Sequence, residues 1–135
     1  MNPQLEYINK YKDLIKELYS YIKDHLGFEK EASIVFILNE KNSEEPLGKT
    51  AYYSPQDNKV AVYINKRHIK DILRSIAHEL IHHDQHCRGQ FNNVKETTQG
   101  YAQNDDHLRE MERQAYEYGN MMFRDFEDNK KKGTK

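Results

Sequence analysis

Ser75-Ile76-Ala77-His78-Glu79-Leu80-Ile81-His82 sets two histidines four residues apart within an apolar, helix-compatible run. Residues at i and i+4 of a helix project from one face, a turn apart, so both imidazoles can reach one ion. Zinc takes neutral imidazole nitrogens at roughly 2.0–2.1 Å. Glu79 follows His78 by one step, about 100° around the helix. Its carboxylate then stands beside the ion, better suited to a bound water than to ligation. It can take a proton from that water, whose pKa a catalytic zinc lowers to around 7. The flanking pattern extends this helix from Arg67 to Cys87. Ile69, Ile72, Leu73, Ile76 and Leu80 form one apolar stripe at helical period, and Gly89 supplies the stop. His78 and His82 fall opposite that stripe, which predicts a helix packed on a sheet by one side and turned to a cleft by the other.

Working outward, Leu5, Ile8, Tyr11, Ile15, Leu18, Tyr19, Ile22 and Leu26 recur at three- and four-residue steps before Gly27, predicting a helix over 3–26. Ser33 to Leu38 is short, apolar and β-branched, the pattern of a buried strand. Asn42 to Gly48 is polar, with a proline and a glycine, and reads as a loop. Thr50–Ser54 and Lys59–Asn65 are two further strands, joined by a turn at Pro55-Gln56-Asp57-Asn58. A loop over 88–104 leads to a last helix over 105–128, capped by Asn104 or Asp105. The lysine-rich stretch 129–135 reads as a disordered, solvated tail. The expected architecture is α+β in one domain over 1–128: N-terminal helix, small twisted sheet of about three strands, active-site helix and glutamate helix.

Catalytic zinc normally has three protein ligands plus water, so two histidines leave the site incomplete. The last helix offers Leu108, Met111, Ala115, Tyr118, Gly119, Met122 and Phe126 as its apolar face. Of Glu110, Glu112 and Glu117, only Glu112 falls on that inward stripe. A carboxylate on a packing face is costly unless something compensates it, and a metal would. His107 is the rival third ligand, or a donor to the oxyanion formed in hydrolysis; Tyr101, Tyr116 and Tyr118 are further such donors. His83 lies near the apolar stripe and reads as a packed, hydrogen-bonded core residue. His86 is a full turn beyond His82, too far to share its ion, and Cys87 reads as an inert thiol. A bare His-Glu-x-x-His can arise by chance in a chain with seven histidines. The helical context, the aliphatic residues at the x positions and the inward glutamate downstream speak against chance here.

Composition narrows the function classes. Charged residues make up 32% against 36% hydrophobic, with a net charge of −1, which argues against a dedicated nucleic-acid binder. No long uncharged apolar stretch is present to span a membrane. The first residues lack the basic start and apolar run of a signal peptide, and the lone Cys87 precludes a disulfide framework within the chain. These features lead to the expectation of a soluble, cytoplasmic protein.

The assembled residues resemble the gluzincin class of metallopeptidases, and in particular its ImmA/IrrE-like branch; small phage-encoded proteins with the motif are similar too. The resemblance covers roughly Gly48 to Phe123. It is carried by Ala51-Tyr52-Tyr53-Ser54-Pro55, Val60-Ala61-Val62-Tyr63-Ile64-Asn65, His78 to His82, and the run from Glu112 through Ala115-Tyr116 to Met122. It implies a zincin-like fold, zinc bound by His78, His82 and Glu112, Glu79 as general base, and a protein or peptide substrate. It also implies that the strand over 59–65 lines the cleft and pairs with an extended peptide. The chain departs from the family pattern at Tyr116, where Asn or Asp is usual, and at Asp84, where an apolar residue is common. Two other readings stay open: a catalytically silent zinc-binding interaction protein, and a SprT-like metalloprotease acting on DNA-associated proteins, with His107 in place of Glu112.

Overall fold

The computed structural model describes residues 2–39, 41, 50–90 and 105–133. The loop expected over 42–48, most of that over 88–104 and Tyr101 lie outside the described residues.

The chain is α+β, with N-terminal helices, a three-stranded mixed sheet and two long packed helices. The N-terminal helix is two helices, α1 (Pro3–Lys10) and α2 (Lys12–Leu26), where the periodicity predicted one. The break falls at Tyr11, at φ −107° and ψ 15°, whose N–H turns back to the Ile8 carbonyl. The apolar spacing carries across this break because a single non-helical residue hardly changes which face is inward. Asn2 caps α1 through its side chain, and Gly27 closes α2 in the left-handed region at φ 81°. The Tyr7 hydroxyl accepts the Ile69 N–H at 3.0 Å, pinning α1 to the start of the motif helix.

The sheet consists of β1 (Ser33–Ile37), β2 (Ala51–Ser54) and β3 (Lys59–Tyr63) in the order β1-β3-β2, parallel on the first side and antiparallel on the second. Two expectations are corrected by this order. The strand expected to be buried, β1, is an edge strand with Ser33 and Val35 exposed. The strand expected to offer its backbone to a peptide, β3, is central and bonded on both sides, so it has no free edge. The run Val60-Ala61-Val62, fully buried, is what a strand covered on both faces requires.

The motif helix α3 (Ile69–Cys87) starts two residues later than expected, with His68 as N-cap accepting the Lys70 N–H. Its predicted stripe of Ile69, Ile72, Leu73, Ile76 and Leu80 is buried throughout, among the residues of the main core cluster. The last helix, α4 (Asp106–Gly133), covers the other side of α3 with Met111, Ala115, Met122, Phe123 and Phe126. Tyr118, expected inward, is exposed, and Phe123 takes an inward place instead. The lysine-rich stretch from Asn129, expected to be disordered, continues α4 through Gly133. Its lysines are good helix formers, and Lys130 and Asn129 reach Glu17 and Tyr21 on α2.

Arg67 fastens the sheet to α3. Its guanidinium donates to the carbonyls of Thr50 (2.9 Å), Tyr63 (2.7 Å) and Asp71 (3.0 Å) and to the Ser75 hydroxyl (2.7 Å). Burial pushes its pKa down, and the Asp71 carboxylate opposes that shift. Its five-donor fork suits this set of acceptors, which a point-charge ammonium cannot reproduce. Arg67→Met leaves several acceptors unpaired and is expected to cost about 2–4 kcal/mol of stability, with Arg67→Lys recovering only part. Urea unfolding of both variants checks this; an Arg67→Met protein as stable as the parent contradicts it.

Candidate metal centre

A candidate metal-binding group lies on α3: the ligand atoms of His78, Glu79 and His82 are all within 4.8 Å of one another. The i, i+4 spacing sets the two imidazoles edge to face, 5.1 Å between centroids, on the side of α3 that faces α4. His82 is fully buried and Glu79 is 5% exposed, so the expected open side of the helix is in large part roofed by α4. Solvent reaches the group past His78, whose side chain is 17% exposed.

A second carboxylate meets the histidines from α4. Glu112 Oε1 lies 2.6 Å from His78 Nε2, and its Oε2 lies 3.2 Å from His82 Nε2. Its ion-pair partners among the described residues are these two rings alone. Burial raises the Glu112 pKa, but the hydrogen bonds and charges of His78 and His82 outweigh it and hold the carboxyl far below the usual range. Burial lowers the His78 pKa, yet the contact with Glu112 and the negative charge of Glu79 leave it raised. His78 is thus favoured in its charged form, and Glu112 as an anion.

The donor set fits a small dication. Two imidazole nitrogens and one carboxylate are a common catalytic zinc set, and tetrahedral bonds of about 2.0 Å put neighbouring donors about 3.3 Å apart. The 3.2 Å between Glu112 and His82 already matches that edge. The 2.6 Å between Glu112 and His78 needs to open by about 0.7 Å, a shift within reach of a glutamate side chain.

The close approach of the two helices depends on Gly119. A Cβ placed there would lie 3.0 Å from His78 Cα and 3.2 Å from His78 N. With only a hydrogen at this position, α4 runs against the backbone of the first histidine. Ala115, fully buried one turn earlier, continues the small-residue contact. Tyr116 turns its ring edge-on to His78 at 4.5 Å between centroids, although the residue is 61% exposed. Burial, followed by the charges of Glu112 and Glu79, raises its hydroxyl pKa, so it stays a proton donor at neutral pH.

The other histidines sort by their partners. His83 is fully buried; its Nε2–H donates to the Lys30 carbonyl at 2.6 Å, and its Nδ1 accepts from the Tyr53 hydroxyl at 2.7 Å. That is a core histidine held neutral, and burial lowers its pKa accordingly. His107 is exposed on the first turn of α4, where its Nε2–H donates to the Gln90 carbonyl at 2.9 Å. It stands five residues before Glu112, about 7.5 Å along the helix axis. Cys87 is exposed, with its thiol pKa raised by burial of the sulfur and by Asp84.

Sequence reading missed Gln85 and Arg67. Gln85 accepts from His82 Nδ1 at 2.8 Å and is 2% exposed; its place three residues after His82 was the available signal. Among the described residues, no helix is long and apolar enough to cross a membrane. No family model, curated protein or solved structure matches the chain.

Gly119→Ala provides a sign test of the helix contact. Replacing an open helix glycine by alanine stabilises by about 1 kcal/mol, whereas overpacking against backbone costs about 1–3 kcal/mol. The variant is expected to be less stable than the parent by about 1 kcal/mol in denaturant unfolding. A more stable alanine variant contradicts the close approach at His78.

Proposed function

We propose that this protein is a zinc-dependent metallopeptidase in which His78, His82 and Glu112 hold the metal and Glu79 is the general base. The observation that carries this reading is the meeting of the Glu112 carboxylate with both motif imidazoles, beside Glu79. Two carboxylates and two imidazoles gathered in a largely buried space are expensive without a cation, and a divalent ion neutralises them together.

Zinc held there by His78, His82 and Glu112 would supply Lewis acidity for a peptide carbonyl and for a water beside Glu79. Glu79 accepts that water's proton as the oxygen adds to the carbonyl carbon. The same carboxyl returns the proton to the amide nitrogen as the C–N bond breaks, leaving a carboxylate and an amine. Tyr116, with its hydroxyl protonated and its ring against His78, is among the described residues the aromatic donor best placed to steady the developing oxyanion. Since β3 is closed on both sides, an extended substrate would pair with β2, the edge strand that packs against α3. The composition argues against nucleic acid as partner.

Two variants separate the metal from the chemistry. The parent is expected to bind one zinc per chain and to cleave members of a peptide library read by mass spectrometry. Glu112→Ala is expected to lose zinc affinity by at least roughly 10-fold, while His107→Ala keeps it. Glu79→Gln should keep zinc and lose cleavage by roughly 10²–10⁴-fold. A Glu79→Gln protein that cuts like the parent defeats the base assignment. Zinc lost in His107→Ala instead transfers the third ligand to that residue. Zinc uptake without cleavage of any peptide leaves a zinc-holding binding protein.

A further inference from the structure

We infer that Gln85 is the positioning residue of the metal centre: its amide sets the ring tautomer of His82 and ties that ring to the helix that carries Glu112. The inference rests on the metal-site reading above and adds a residue to it.

Gln85 stands one turn beyond His82 on α3 and is 2% exposed. Its Nε2 donates to the Met111 carbonyl at 2.9 Å and to Gln114 Oε1 at 3.4 Å. Gln114 is itself oriented by donating to Glu110 at 3.3 Å, which keeps its oxygen toward Gln85. Turning the Gln85 amide over would set its oxygen against two other oxygens, so only one orientation satisfies this pocket. Oε1 therefore faces His82 Nδ1, at 2.8 Å.

An amide oxygen only accepts, so the hydrogen resides on Nδ1. A neutral imidazole carries one N–H, which leaves the lone pair on Nε2. That is the atom 3.2 Å from Glu112 Oε2. A lone pair and a carboxylate oxygen at this distance repel unless a cation stands between them, either a second ring proton or a metal ion. Gln85 thus arms Nε2 as a donor and aims it at the Glu112 carboxylate.

The same amide fixes the other helix. Met111, whose carbonyl it holds, directly precedes Glu112. One side chain therefore sets the ring of one metal donor and the local register of another. A glutamine suits this place better than an acid. A carboxylate would add a third negative charge to a site that already has Glu79 and Glu112, and would face the Met111 carbonyl with a lone pair.

The test uses the full chain, with zinc alone as the probe, and two variants. Gln85→Met is close in shape and lacks both hydrogen bonds. Gln85→Glu keeps the acceptor for Nδ1–H and loses the donor to Met111. Long-range ¹⁵N–¹H spectra of the imidazoles read the tautomer before metal is added, and competition with a chromophoric chelator reads zinc affinity. In the parent and in Gln85→Glu, His82 is expected to carry its hydrogen on Nδ1. In Gln85→Met that preference is lost and zinc affinity falls roughly 10–100-fold. An Nδ1 without hydrogen in the parent overturns the inference, as does a folded Gln85→Met protein with parental tautomer and zinc affinity. If Gln85→Met does not fold, Nδ1–H in both remaining proteins upholds it and an Nδ1 without hydrogen in either overturns it. A parent that takes up no zinc sinks the metallopeptidase reading alone, and the tautomer comparison still decides the role of Gln85.

Discussion

The contact between α3 and α4 at His78 and Gly119 is the constraint on which the rest of this molecule turns. A helix pair normally keeps its axes 8–10 Å apart because side chains stand between them. Here a glycine hydrogen faces the His78 backbone, and α4 closes over the motif side of α3. That closure buries His82 completely and brings Glu112 onto both imidazoles. A bulkier residue at position 119 would part the donors by acting on backbone alone, without touching any of them. The candidate metal centre is therefore a property of the helix packing as much as of the motif.

The same closure explains the electrostatics. Burial by itself would drive protons onto Glu112 and off the histidines. The opposite balance holds at Glu112 and His78, because the charged forms sit against each other. Such an arrangement is expensive to assemble and has little value as a mere core contact, since apolar residues of similar size would pack there at lower cost. The surrounding hydrogen bonds are arranged with equal economy of alternatives. His83 is committed to Lys30 and Tyr53 as a neutral core ring, and His82 is committed through Gln85 to present its other nitrogen. Adjacent histidines on one helix thus serve opposite ends, one sealed into the core and one facing the carboxylates.

Much of this was legible in the residues. The stripe from Ile69 to Leu80, the stop at Gly89 and the inward position of Glu112 follow from helical period. Period also separated His83, near the stripe, from His78 and His82. What periodicity could not give is the order of strands. The strand over 59–65 was expected to face a substrate, whereas its place between two neighbours is set by long-range pairing that no local pattern encodes. The burial of Val60, Ala61 and Val62 in sequence was the hint available. The break at Tyr11 and the helical 129–133 segment escaped for a related reason: a one-residue kink leaves the inward face in register, and lysines are compatible with helix and tail alike. Arg67 and Gln85 act by reaching across elements, and the partners they meet on those other elements are not encoded by any local period.

The central claim is that one zinc ion is shared by two imidazoles of α3 and a carboxylate of α4, and X-ray absorption at the zinc edge of the zinc-loaded protein tests it most directly. The account predicts one zinc per chain with a first shell of nitrogen and oxygen only, at about 2.0–2.1 Å, and the outer-shell scattering of two imidazole rings. A sulfur scatterer at about 2.3 Å, a shell with three imidazoles, or a protein that takes up no zinc would contradict it.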